Sequence, residues 1–190
     1  METTLTTLLG YFVILQFFFL DRNRRGAEAK SFKTGEFDRR STMYIGIAYF
    51  ISMLVLIASW FLNGFGLATL PEWIGWIGIA VAVFGLFFRW WANRLLGPLY
   101  TRTLRVMENH PIVQVGPYRV IRHPGYLGSI LIWVGAAAAT VNWIVLLVVF
   151  AVMSFVYAYR IQSEEKMLTA TKAGYAEYQK HTWRLIPFVY

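Results

Sequence analysis

Four apolar runs decide what this chain can fold into: residues 5–20, 43–62, 73–91 and 127–159. A helix that crosses a bilayer needs about 20 mostly apolar residues. Inside lipid its backbone polar groups must also be satisfied within the segment. Each of the first three runs fits one spanning helix, the first of them short but uninterrupted. The fourth, 33 residues long, exceeds one ordinary span and falls a little short of two. Its middle carries four alanines (136–139) and then Thr140-Val141-Asn142, which suggests a tight turn. Two short helices folded as a hairpin fit the stretch, because Gly135 and the alanines let backbones approach closely.

The positions of the 18 Lys and Arg residues test that count. They fall in 22–40, in 89–122 and in the tail from Arg160 to Arg184, while residues 1–21, the 63–72 loop and the 140–142 turn carry none. With five spans every basic residue lies on one side, which the positive-inside rule makes the cytoplasm. With four spans the tail's cations lie outside. The sequence therefore predicts an all-α integral membrane protein of five transmembrane helices, the last two a helical hairpin. Its N-terminus is outside, with the basic loops and a C-terminal helix on the cytoplasmic side. Residues 1–102 form three transmembrane helices and a basic cytoplasmic loop, and residues 103–190 form a second region with the hairpin and tail. Composition agrees, since 15% of residues are charged against about a quarter in soluble domains. A cleavable signal at 5–20 is disfavoured: Glu2 but no Lys or Arg precedes it, and no small-residue cleavage pattern follows. The segment 164–180 is helical in composition and too polar to span. Trp183, Pro187, Phe188 and Tyr190 suit a headgroup interface.

Several chemistries are disfavoured. No cysteine is present, so disulfides and thiolate catalysis are excluded. His110, His123 and His181 share no ligand spacing, so no metal site is expected. The net charge of +8 fits cytoplasmic loops facing anionic lipids better than it fits nucleic acid.

Residues 110–128 break the apolar pattern. His110-Pro111 and Gly116-Pro117 each interrupt helix, and residues 112–115 between them are short and β-prone. Irregular backbone near membrane depth survives where protein buries it or where it lines a cavity, so its free N–H and C=O groups can meet a ligand. Arg122-His123-Pro124 then leads into Gly125-Tyr126, where the next helix begins. The plainer alternative is a basic interfacial loop with a tyrosine anchor. Arg119 and Arg122 suit anionic lipid as well as they suit a cofactor. Downstream, Arg160 and Glu164 lie at i and i+4 on one helix face. They are either an exposed surface pair or two functional charges at the membrane edge. Glu165 turns away by about 100°, so one of the two carboxylates is expected to face outward.

The pattern Gly116-x-Tyr118-x-x-x-Arg122-His123-Pro124-x-Tyr126-x-Gly128, followed by Glu164-Glu165, Gly174-Tyr175-x-x-Tyr178 and Leu185-Ile186-Pro187, resembles the isoprenylcysteine carboxyl methyltransferase family. The wider relatives of that family are membrane phospholipid N-methyltransferases. The likeness covers roughly residues 103–188, and the compact size is similar to short prokaryotic members, archaeal ones among them. It implies S-adenosylmethionine as methyl donor and S-adenosylhomocysteine as product. The implied cofactor contacts are His110, Pro111, Ile112, Val113, Tyr118, His123, Pro124, Gly125, Tyr126 and Glu164. The resemblance assigns Arg160 to the substrate carboxylate. Where eukaryotic members place a cofactor-contacting Gln, this chain has Thr103, so that contact is not carried over.

The chain has no GxGxxG after a strand and no polar stretch left for a soluble domain, so the implied cofactor is expected in a pocket built from membrane helices and the 110–126 loop. That expectation makes 110–126 a cytoplasmic cofactor-binding loop and 103–190 the catalytic region. The expected reaction is methyl ester formation on the carboxylate of a lipid-modified, isoprenylcysteine-like substrate entering from the bilayer. A carboxylate is already a nucleophile and needs no general base. A phospholipid N-methyltransferase needs such a base, and Arg160 is a poor neighbour for a cationic headgroup. An NADPH-dependent membrane reductase is disfavoured by the short chain and the lack of an extra basic cluster for a 2′-phosphate. A scaffold or channel lacks charge rings and a filter motif here.

Overall fold

The computed structural model describes residues 5–22, 36–97, 103–104 and 112–190. Among them the architecture is all helical: α1 (Leu5–Arg22), α2 (Ser41–Gly64), α3 (Glu72–Leu96), α4 (Pro124–Ala139), α5 (Trp143–Thr171) and the short α6 (Tyr175–Lys180). One-turn 3-10 segments cover Glu36–Asp38 and Gly116–Arg119. Three helices, α2, α3 and α5, are long and apolar enough to cross a membrane, and α1 and α4 are shorter apolar helices. Their outward faces carry Phe50, Phe61, Phe84, Phe87 and Phe155, each more than half exposed. Lipid, not water, suits such an apolar surface.

The hairpin turns where the sequence predicts, at residues 140–142, but its arms are unequal. Helix α4 has 16 residues and α5 has 29. Helix α5 runs on past the apolar stretch through the two glutamates, as the placing of Arg160 and Glu164 on one helix face requires. No helix breaker intervenes until Gly174, which adopts φ 82 and starts a separate short helix. Asn142 caps α5, its Oδ1 accepting from Val145 N at 3.2 Å.

Close approach of α3 and α4 sets the bundle. Gly75, Gly78, Ala82 and Gly85 form a buried stripe along α3. A Cβ on Gly78 would lie 2.6 Å from the Gly135 carbonyl oxygen, and one on Gly135 only 2.5 Å from Ala82 N. Larger residues at either position would push the backbones apart. Small residues let membrane helices pack by dispersion where no hydrophobic force separates them from lipid. Helix α1 seats on the same surface, Thr6 Oγ1 donating to Ala139 O at 2.9 Å. Between α1, α2, α4 and α5 lies an aromatic core: Tyr49 stacks on fully buried Trp133 at 5.1 Å, and Phe17 meets that indole edge-on at 6.3 Å.

These contacts sort the helix ends into two groups. At one end Asn63 of α2 donates to Thr140 O beyond α4. At the other, the end of α1, the start of α2, the end of α3, the start of α4 and the far part of α5 converge.

Candidate active site

The second group of helix ends is built around a connected set of ionisable side chains. Pro124 fixes the first turn of α4, with His123 just outside it. The His123 ring is buried and stacks on Tyr126 at 5.5 Å with only 10° between planes. The Tyr126 hydroxyl donates to Glu164 Oε2 at 2.6 Å and accepts from Arg160 Nε at 3.2 Å. Arg160 and Glu164 thus share a face, as their spacing predicts, but they are no surface pair: one phenol bridges them, and Arg160 is 2% exposed. The Tyr157 ring, one turn before, meets Tyr126 at 5.2 Å. Its hydroxyl lies 2.6 Å from that of Tyr49.

A buried guanidinium needs a counter-charge, and Arg160 has one that the sequence reading missed. Its Nη1 donates to Asp38 Oδ1 at 2.8 Å, Ser41 Oγ at 2.7 Å and Thr42 Oγ1 at 3.0 Å. Burial works to raise the Asp38 carboxyl, but hydrogen bonds from Thr42 and the charge of Arg160 outweigh it and hold it below the usual aspartate range. A signal was available in the sequence. The chain has ten carboxylates, so few partners exist for an arginine drawn into a membrane bundle, and Asp38 stands three residues before Ser41 at a helix start.

Glu165 corrects a second expectation. Neither glutamate faces outward: Glu165 is 4% exposed, and the Glu164 side chain keeps 24% of its surface. The 100° turn points Glu165 under the 120–123 segment and the tail, which cover it. It accepts from Arg122 Nε at 2.7 Å and Arg184 Nε at 2.8 Å, and lies 3.3 Å from His123 Nε2. Arg122 also donates to the Thr182 carbonyl, so it ties the tail down. Arg119 is exposed. The tail is stitched on by backbone bonds as well, Arg122 N to Trp183 O at 2.8 Å and His123 N to Arg184 O at 3.1 Å.

The remaining expected residues divide. Pro124 and Gly125 open α4 beside the cluster, whereas Tyr118 is buried in the loop with its hydroxyl 3.4 Å from Ala92 O. The Tyr118 carbonyl accepts from Tyr178, whose hydroxyl burial pushes up to about 12. Ile112 and Val113 are half-buried, and His110 and Pro111 lie outside the described residues. Thr103 is buried beside Leu104, whose N donates to Asp38 Oδ1 at 3.4 Å. Arg89 is a further residue that hydropathy alone conceals. It sits 7% exposed on α3, donates to Gly125 O at 3.1 Å and to Ser129, pairs with Asp21 at 3.3 Å and caps the Phe17 ring at 5.0 Å. It locks the start of α4 to α1 and α3.

Whether such a site suits a cationic sulfonium donor can be tested on its own groups. Tyrosine faces and a partly exposed carboxylate attract cations. Asn93 Nδ2 is buried without a hydrogen-bond partner among the described residues, and its amide oxygen lies 3.1 Å from where a Cβ on Gly125 would be. An orphaned donor at the implied cofactor segment is what a ligand acceptor would satisfy. The donor set fits. No group of three or more His, Cys, Asp or Glu among the described residues could hold a metal ion.

Comparison with known proteins identifies relatives of the chain. A family model described as the isoprenylcysteine carboxyl methyltransferase (ICMT) family matches residues 76–170, half of the chain. Protein-S-isoprenylcysteine O-methyltransferase B of Arabidopsis thaliana is 27% identical over 154 residues, 78% of each chain. The cobalt-zinc-cadmium resistance protein CzcN of Cupriavidus metallidurans is 28% identical over 114 residues, 60% of this chain and 48% of that one. The solved structure of the eukaryotic intramembrane Ras methyltransferase ICMT shares the fold with a TM-score of 0.65 at 21% identity, covering 96% of this chain and 63% of that one. The protein thus spans less than two thirds of that structure's length. The chain belongs to the isoprenylcysteine carboxyl methyltransferase family and is a methyltransferase of that class.

Proposed function

We propose that the protein transfers a methyl group from S-adenosylmethionine to the carboxylate of an isoprenylcysteine-like, lipophilic acceptor. The observation that carries this reading is the Tyr126 hydroxyl held between Arg160 and Glu164. It sets a cation and an anion side by side on one helix face, matched to an anionic acceptor and a cationic donor. Asp38, Glu164 and Glu165 balance Arg160, Arg122 and Arg184, three charges of each sign. A sulfonium and a carboxylate entering together leave that balance unchanged. A neutral amine acceptor would leave the donor's charge uncompensated, and no observation favours the amine or reductase readings.

When bound, the donor supplies a methyl group that passes to the carboxylate oxygen as the carbon–sulfur bond breaks and a neutral thioether leaves. Glu164 and the Tyr126 and Tyr157 rings would hold its cationic end, and Asn93, Pro124 and Gly125 would meet the rest of it, with His123 stacked behind Tyr126. The implied contacts from His110 to Val113 complete the set. Arg160 would hold one carboxylate oxygen so that the other attacks in line. Proximity and orientation are worth about 7–11 kcal/mol in such cases, and no general base is required. Water excluded by the α5–tail cover keeps opposite charges strongly attracted.

The two groups of helix ends support five passes with alternating direction, and the positive-inside rule turns the site toward the cytoplasm. With 16 residues, α4 is about 24 Å long, short of the roughly 30 Å hydrocarbon core, which favours a site sunk toward the bilayer on its side. Arg39, Arg40, Arg94 and Arg119 are exposed at that end and suit anionic headgroups. The 103–190 region carries most of the site, with Asp38 and Arg89 contributed from before it.

The test uses purified protein in detergent, methyl-labelled S-adenosylmethionine and a farnesylated cysteine analogue. Expected is label that leaves as volatile methanol on base treatment, the mark of a methyl ester. Label that enters lipid and survives base would overturn the carboxylate assignment in favour of an amine.

A further inference from the structure

The turn that carries Asp38 is built more tightly than a helix start requires. Asp38 is 2% exposed. Besides Arg160 Nη1, its Oδ1 receives Thr42 Oγ1 at 2.7 Å, Ser41 Oγ at 3.2 Å and Leu104 N at 3.4 Å, and its Oδ2 receives Thr42 N at 3.3 Å. Arg39 and Arg40, which follow it, take φ 44 and φ 63. That left-handed region is uncommon for residues with a Cβ, and such strain persists only where its surroundings enforce it. A carboxylate fastened by four further hydrogen bonds does not swing away when another carboxylate arrives. Asp38 is therefore a fixture, not a plug that a substrate displaces.

Charge explains what a fixture here can do. In methyl transfer from a sulfonium to a carboxylate, opposite charges annihilate, so the acceptor oxygens bear less negative charge in the transition state than before it. A bare guanidinium in a water-poor site binds the full anion more strongly than the transition state, and binding of that kind lowers KM without raising kcat. A fixed carboxylate on the far side of the guanidinium weakens that preference while holding its plane in place.

We propose that Asp38 is a positioning residue for methyl transfer, fixing the Arg160 guanidinium and offsetting part of its charge so that the acceptor is held but stays nucleophilic. The inference rests on the reading that Arg160 anchors the acceptor carboxylate.

Asp38→Asn keeps the shape and one acceptor oxygen and removes the charge. With the farnesylated cysteine analogue in detergent, its KM for the acceptor should fall and its kcat should fall by about tenfold, while S-adenosylmethionine affinity holds. A purely structural role predicts lost protein and lower kcat at unchanged KM, and that result overturns the proposal. Where Asp38→Asn does not fold, Thr42→Val keeps the charge but removes two bonds of the clamp. It should raise KM for the acceptor severalfold, and wild-type kinetics there would also overturn the role. Arg160→Lys separates the two levels. Unchanged acceptor KM in that variant removes the anchor reading and Asp38's role with it. A raised KM beside an Asp38→Asn enzyme of wild-type kinetics removes Asp38 alone.

Discussion

The two ends of the bundle tie the same helices together with opposite materials. At the α4–α5 turn the network is neutral. Asn142 Nδ2 donates to Asn63 Oδ1 at 2.8 Å and Leu67 O at 2.9 Å, Thr140 Oγ1 donates to Ala137 O at 2.7 Å, and Leu70 N meets Val141 O at 2.7 Å. At the α4 start the network is ionic, with Asp38, Arg160, Glu164, Glu165, Arg122 and Arg184 in one connected set. Closing loops needs only dipoles, which are cheap to bury when paired. Burying charges costs several kcal/mol each in desolvation, so an end that carries them costs more than loop closure requires, which supports the proposed site for charged ligands there.

Removing a charge from the ionic end tests this contrast hardest. Arg160→Ala leaves Asp38 buried without a counter-charge, which should lower stability by about 3–5 kcal/mol and abolish turnover while S-adenosylmethionine still binds. Thermal unfolding in detergent and label transfer check both, and a variant with normal Tm and turnover would dismantle the ionic-end assignment. Glu164→Gln removes a charge that is 24% exposed. It should weaken cofactor affinity by roughly 10–100-fold, matching about 1.5–3 kcal/mol for hydrogen bonds to charged groups, as isothermal titration would report. At the neutral end Asn142→Ala should cost about 1–3 kcal/mol of stability and leave kcat and KM alone below its Tm. A large change in KM there would erase the distinction between the ends.

Acid separates them next. The Asp38 carboxyl is held below the usual aspartate range. Its contribution to stability is therefore full above the unfolded pKa and is lost as pH falls through the folded one. Hydrogen exchange should show the start of α2 losing protection in that window while the 140–142 turn keeps its own. Equal loss at both ends would contradict this. The smallest effect is expected at Glu177, exposed at the surface with Lys180 at 2.7 Å and His181 at 3.1 Å. Glu177→Gln should leave Tm and turnover unchanged, because exposed ion pairs contribute little.

The sequence by itself determined the helices and their turn. Apolar length sets α1 to α5, and Thr140 and Asn142 mark the hairpin because short polar side chains bond their own backbone. It also determined which residues meet around the proposed donor site, since Pro124 and the i, i+4 spacing act locally: His123, Tyr126, Arg160 and Glu164 come together in the fold. The tertiary structure alone decided the counter-charges. Asp38 reaches Arg160 across 122 positions and Arg89 reaches Gly125 across 36, separations over which no periodicity carries information. It also decided that Glu165 turns inward, because the 120–123 segment and the folded tail cover that face of α5 and supply Arg122 and Arg184 to pair the buried carboxylate.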